Sequence, residues 1–206
     1  MAQAEAAFEI LFLLCSAGLG IRLLPGRAHR RTGVTCLVLT LAWACRLIPR
    51  ILSLLTEWDL SLWLGLGRLG WSVGTAVWLF LLFRLWERLF SPDVRDRLLF
   101  LICVSALLVR ILALIPPENR WRENGFSPIW SGISCSALVI AGAVVTVLWF
   151  SARNRKSGLG QIWVLLLIIL LLEIPLATGL TPFPALRWLL LPQMLASLGL
   201  AAQQAD

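Results

Sequence analysis

Seven charged side chains stand inside long apolar stretches of this chain: Glu9, Arg46, Arg50, Arg68, Arg110, Glu173 and Arg187. A charge held away from water in a bilayer costs about 2.5–3.5 kcal/mol on insertion scales, so such residues turn toward a partner, a cavity or a ligand. Arg46 and Arg50 are four residues apart and share one helix face. A guanidinium donates through a planar fork that matches a carboxylate or a phosphate. The five arginines outnumber the two glutamates, which leaves a positive surplus. Two arrangements absorb it. In one, the arginines form a basic pocket for an anionic ligand: a lipid headgroup, a small carboxylate or a phosphate. In the other, a Glu173–Arg pair locks the bundle and the remaining arginines reach to the interface.

Glu173 and Glu9 are the charge partners in either arrangement. In LLLIILLLEIPLATG, Glu173 follows an apolar run. Burial raises the pKa of a carboxyl and a nearby arginine lowers it. An unpaired glutamate there carries protons, and a paired one clamps helices. The abundance of arginines at the same depth favours the clamp.

The usual catalytic and metal-binding groups are scarce. The single histidine, His29, lies among arginines in a connection. This argues against bis-histidine haem ligation, a His-rich zinc site and a Ser–His dyad at membrane depth. Asp59, Asp93 and Asp96 fall in connections, and no Walker-type glycine loop occurs. The expectation is a non-enzymatic protein without cofactor or metal. The cysteines, Cys15, Cys36, Cys45, Cys103 and Cys135, all fall in apolar stretches and read as buried thiols rather than a disulfide framework.

The elements that position the charges follow from composition. The chain has 206 residues, 59% hydrophobic and 14% charged, with mean hydropathy +0.86. Soluble domains carry roughly 25% charge. A bilayer span takes about 20 residues, so this composition predicts an all-α polytopic membrane protein with seven spans at about 6–24, 33–55, 62–84, 98–115, 129–151, 160–178 and 186–203. Arg27, Arg30 and Arg31, then Arg84, Arg88, Arg95 and Arg97, then Arg153, Arg155 and Lys156 alternate to one side. The positive-inside rule makes that side cytoplasmic, with the N-terminus outside and the C-terminus inside. Tryptophans near the span ends, among them Trp63, Trp86, Trp149 and Trp163, read as interfacial anchors.

Arg46 with Pro49, Arg110 with Pro116 and Glu173 with Pro175 recur at a similar place in successive units, as one helix followed by three two-helix repeats would give. Small residues at Gly70 and Gly74, and at Gly132, Ser136 and Gly142, offer faces for close packing within the chain or in a homo-oligomer. The net charge of +7 is explained by topology rather than by nucleic-acid binding. Membrane lipids, an anionic small molecule and a second membrane protein are the partners expected. The arginine bias, with Lys156 the only lysine, points to a bacterial cytoplasmic membrane. A carrier, a sensor without its own output domain and an assembly subunit are the candidate functions.

Overall fold

A computed structural model describes residues 2–26, 29–56, 60–90, 94–120, 127–152 and 161–178. Among them every regular element is helical: α1 (Ala2–Leu23), α2 (Arg30–Leu55), α3 (Ser61–Phe90), α4 (Val94–Leu112), α5 (Pro128–Ser151) and α6 (Ile162–Thr178), with one 3₁₀ turn at Pro117–Asn119. The stretch 186–203 and Arg187 lie outside the described residues, as do the side chain of Glu173 and Arg153, Arg155 and Lys156. Among the described residues, three helical segments are long and apolar enough to cross a membrane: Arg30–Ser53, Ser61–Phe90 and Pro128–Ser151. Large apolar side chains point away from the bundle, with Leu55, Ile129 and Ile115 70–75% exposed. Such continuous outward apolar surface needs a lipid or protein cover.

Successive helices run antiparallel. Glu9, Ser16 and Gly20 of α1 meet Arg50, Thr40 and Leu37 of α2, with numbers rising on one helix and falling on the other. Gly67, Gly70 and Gly74 of α3 likewise meet residues 46, 45 and 42 of α2. Arg110 of α4 reaches Ser72 of α3 and Ser134 of α5, and Gly142 of α5 abuts Leu170 of α6. The end where α1, α3 and α5 begin is called the N-terminal end below.

The tightest seam is α2–α3, and glycine makes it. A Cβ at Gly70 would stand 2.9 Å from Cys45 Cβ, and one at Gly74 would collide with Ala42 Cβ. The Gly70–Gly74 pair thus packs within the chain, as a small-xxx-small face allows. At Gly142 an added Cβ would stand 2.6 Å from Leu170 Cδ1, so this glycine serves the α5–α6 contact.

Two features depart from the sequence reading. The helix over 62–84 continues to Phe90 and the next begins at Val94. Arg84 and Arg88 therefore ride on the last turns of α3, where Arg84 pairs with Glu87. Trp86 and Trp149 do not face outward: they are 3% and 0% exposed, inside the core. Their indoles pack with Phe90 between them, at 5.9 and 6.5 Å between ring centroids. Trp63, at 57% exposed, keeps an outward position.

Candidate functional site

Of the charged residues singled out in the sequence, the five whose side chains are described, Glu9, Arg46, Arg50, Arg68 and Arg110, lie toward the N-terminal end of the bundle. Pro49 lies inside α2 and has no N–H, so the carbonyl of Cys45 loses its helical donor. That carbonyl faces α3 at Gly67, where any Cβ would collide with it. The same missing side chain brings α3 within 3.1 Å of the Arg46 Cα, measured from the Cβ position at Gly67. Arg68 follows Gly67 directly, so Arg46 and Arg68 stand at one level of the α2–α3 seam, both half-buried.

Arg46 extends over the indole of Trp43, with Cζ 5.9 Å from the ring centroid. This is a cation–π distance. Trp43 is fixed in turn by edge contacts to Trp71 at 5.0 Å and Phe12 at 6.1 Å. Arg50, one turn further along α2, donates from Nη1 to Glu9 Oε1 at 2.7 Å. The Glu9 side chain is 1% exposed and that of Arg50 is 29% exposed. A second polar contact ties the same two helices two turns deeper, where the Thr40 hydroxyl lies 2.8 Å from Ser16 Oγ.

Arg110 is held differently. It is 3% exposed and its three nitrogens donate to three separate acceptors. Nε reaches the Ser72 carbonyl at 3.2 Å, Nη1 the Ser134 carbonyl at 3.4 Å, and Nη2 the Thr75 hydroxyl at 2.9 Å. One guanidinium thereby joins α4 to both α3 and α5. Arg68 is four residues before Ser72, on the same face of α3 and one turn nearer the N-terminal end. Just beyond Arg110, Asn119 caps α4 by donating Nδ2 to the carbonyls of Ala113 and Leu114 at 3.0 and 3.3 Å. These carbonyls lie in the turn just past the end of α4, where no helical donor follows.

The sequence-predicted residues therefore divide into sets. Glu9 and Arg50 form an ion pair. Arg46 and Arg68 share the level of the α2–α3 seam one turn from that pair. Arg110 donates to acceptors on α3 and α5. Ser72, Thr75 and Ser134 were not anticipated as functional. Only Thr75 acts through its hydroxyl, a polar group in the apolar run of α3 that the sequence displays, whereas Ser72 and Ser134 act through backbone carbonyls that carry no sequence signal. Among the described residues, no three His, Cys, Asp or Glu side chains come together as metal ligands would.

Compared with protein-family models, curated proteins and solved structures, the chain matches none. What the fold itself defines, among the described residues, is a helical bundle with three segments long and apolar enough to cross a membrane and a group of arginines toward one end.

Proposed function

We propose that this chain is a non-enzymatic seven-span membrane protein, N-terminus outside, which binds an anionic small molecule or lipid headgroup in its extracytoplasmic half and acts as a carrier. The reading includes the seventh span at 186–203, the unit of one helix plus three helix pairs, and a bacterial cytoplasmic membrane. The observation that carries it is the placement of Arg46 and Arg68 at one level of the α2–α3 seam, one turn from Arg50. The sequence supplies more arginines than glutamates at this depth, and Arg187 and Glu173 belong to the same set. A forked cation pair flanking a seam suits a carboxylate or phosphate.

Thermal stability of the purified protein tests the reading against inorganic phosphate, small carboxylates and anionic lipids, with R46A and R68A beside the wild type. A ligand that binds the folded state stabilises it by about 2.7 kcal/mol at a hundredfold excess over Kd. A shift in wild type that both variants lose supports the site, and flux into liposomes then separates carrier from sensor. No shift with any compound refutes it.

A second reading, an assembly subunit, is favoured by Arg110 and by the Arg50–Glu9 pair. Both spend their charge on joining helices of the same chain. That reading predicts no ligand shift and a chain stabilised by co-expression with a partner.

A further inference from the structure

The outward faces of the helices carry a second pattern of charge. Arg22, Arg30, Arg31, Arg84, Arg88 and Arg97 are all exposed. Because successive helices run antiparallel, the end of α1, the start of α2, the end of α3 and the start of α4 stand at the end of the bundle away from Glu9 and Arg50. These four helices pack in chain order, so the six cations form a row across adjoining helices. Arg84 pairs with Glu87, and among the described residues no carboxylate pairs with the other five. The N-terminal end differs. Among the described residues it exposes one arginine, Arg120, with the exposed Glu118 two residues away.

Helix register ties these arginines to the apolar outer surface. Residues four, seven and eleven apart share one helix face. Arg97 opens such a face on α4, which continues through the exposed Leu101, Leu108 and Leu112. Arg30 opens one on α2 through Val34, Leu41 and Ile48, also exposed. On α1 the exposed stripe of Leu11 and Cys15 ends at Arg22. On α3 the stripe of Leu66 and Val77 ends at Arg84 and Arg88. Such stripes need an apolar cover, and acyl chains supply it in a bilayer. An arginine at the end of a lipid-facing stripe lays its stem along the acyl region and its guanidinium among the headgroups. A negatively charged bilayer surface attracts cations placed there. A soluble polyanion has no such access, because each arginine continues a face that the bilayer covers.

We propose that this row of arginines is a binding belt for anionic phospholipids, which it draws from the surrounding leaflet by their net charge. Arg46 on α2 and Arg68 on α3 lie sixteen residues from Arg30 and Arg84, or about 24 Å along each helix. The belt is therefore a separate site from the α2–α3 seam and independent of the anion-binding reading.

The full chain in phosphatidylcholine bilayers tests this by electron paramagnetic resonance of trace spin-labelled lipids, which separates lipid held at the protein surface from the bulk. Phosphatidylglycerol and phosphatidylcholine share the phosphate and differ in net charge, so their comparison reads that charge. Phosphatidylglycerol should be retained several-fold over phosphatidylcholine at low salt. Sodium chloride at about 1 M, where the Debye length is about 3 Å, should remove most of that preference. R22Q, R30Q, R88Q and R97Q combined should abolish it, while R22K, R30K, R88K and R97K combined should keep it. R46A with R68A should keep it as well. Equal retention of the two lipids by the wild type overturns the proposal. So does a preference that survives in the glutamine variant, or one that R46A with R68A removes. If the glutamine variant does not fold, the wild type decides, and a preference unchanged by salt overturns the belt.

Discussion

Replacing Arg110 tests how much a buried guanidinium contributes by joining three helices of an apolar bundle. R110M fills a similar volume with a flexible apolar chain, so it opens little cavity. It deletes three interhelical hydrogen bonds, to Ser72, Ser134 and Thr75. Such bonds average about 0.6 kcal/mol in membrane bundles, with a ceiling near 1.7, so three amount to about 2 kcal/mol. The carbonyls of Ser72 and Ser134 lie within helices and keep their own helical donors, which limits the penalty. R110K should cost more than R110M. Lysine keeps the charge but is a compact point donor, and the acceptors lie on two helices. It must strand part of the network or withdraw from all of it. The assay is reversible unfolding in mixed micelles, and the sharper readout is a double-mutant cycle of R110M with T75V. The cycle cancels the desolvation of the arginine and isolates the pair. A coupling of about 0.6–1.7 kcal/mol is expected. A coupling indistinguishable from zero, or R110K as stable as wild type, would refute the clamp.

The other predictions use the same unfolding measurement. G67A should destabilise by about 1–3 kcal/mol, because its methyl group meets the Cys45 carbonyl of a rigid neighbouring helix. G132A has open space around its Cβ and should be neutral or gain up to about 1 kcal/mol from helix propensity. R50M should cost more than E9Q, about 3–5 kcal/mol, since it strips the guanidinium from a nearly fully buried carboxylate, whereas Arg50 is partly exposed and can reorient. N119A should lose about 1 kcal/mol by uncapping Ala113 and Leu114, and hydrogen exchange should quicken at the end of α4 first.

The existence of α1 to α6 was legible because each coincides with an apolar stretch bounded by charge or proline. The faces were not. In α3, apolar residues surround the whole circumference, so periodicity does not separate a lipid-facing leucine from a core one. Glycine carried part of that information: Gly70–Gly74 marked a close-packing face, and its partner, α2, came only with the structure. Trp86 and Trp149 sit near helix ends, where membrane tryptophans usually anchor at the interface. Their burial follows from a tertiary neighbour, Phe90, which no local pattern reveals. The opposite charges of Glu9 and Arg50 made a pair conceivable, yet partner choice needed the register of α1 on α2. For Arg110 the sequence suggested a carboxylate, a ligand or the interface. Among its acceptors are two backbone carbonyls and a threonine, and carbonyls are invisible in a list of residue types.

The two ends of the bundle carry different contacts, and this bears on the carrier reading. Toward the N-terminal end the Glu9–Arg50 pair and the three bonds of Arg110 accompany the Phe12–Trp43–Trp71 cluster. At the opposite end the interhelical contacts among the rings are Phe90–Trp149 and Phe150–Trp163, with Trp86–Phe90 and the Arg84–Glu87 pair along α3. An aromatic pair contributes about 0.5–1.5 kcal/mol beyond its burial and has no substitute partner in lipid. A polar contact contributes about 0.6 kcal/mol net, because separated groups find water or headgroups. Arginines near an interface can make that exchange at small cost. A carrier built on this chain would therefore part its helices at the Glu9–Arg50 end and pivot about the Phe90–Trp149 end. Cross-linking α3 to α5 near Phe90 and Trp149 should then leave ligand binding intact, while cross-linking α1 to α2 near Glu9 and Arg50 should abolish it. Equal effects from the two cross-links would remove the pivot from the carrier reading.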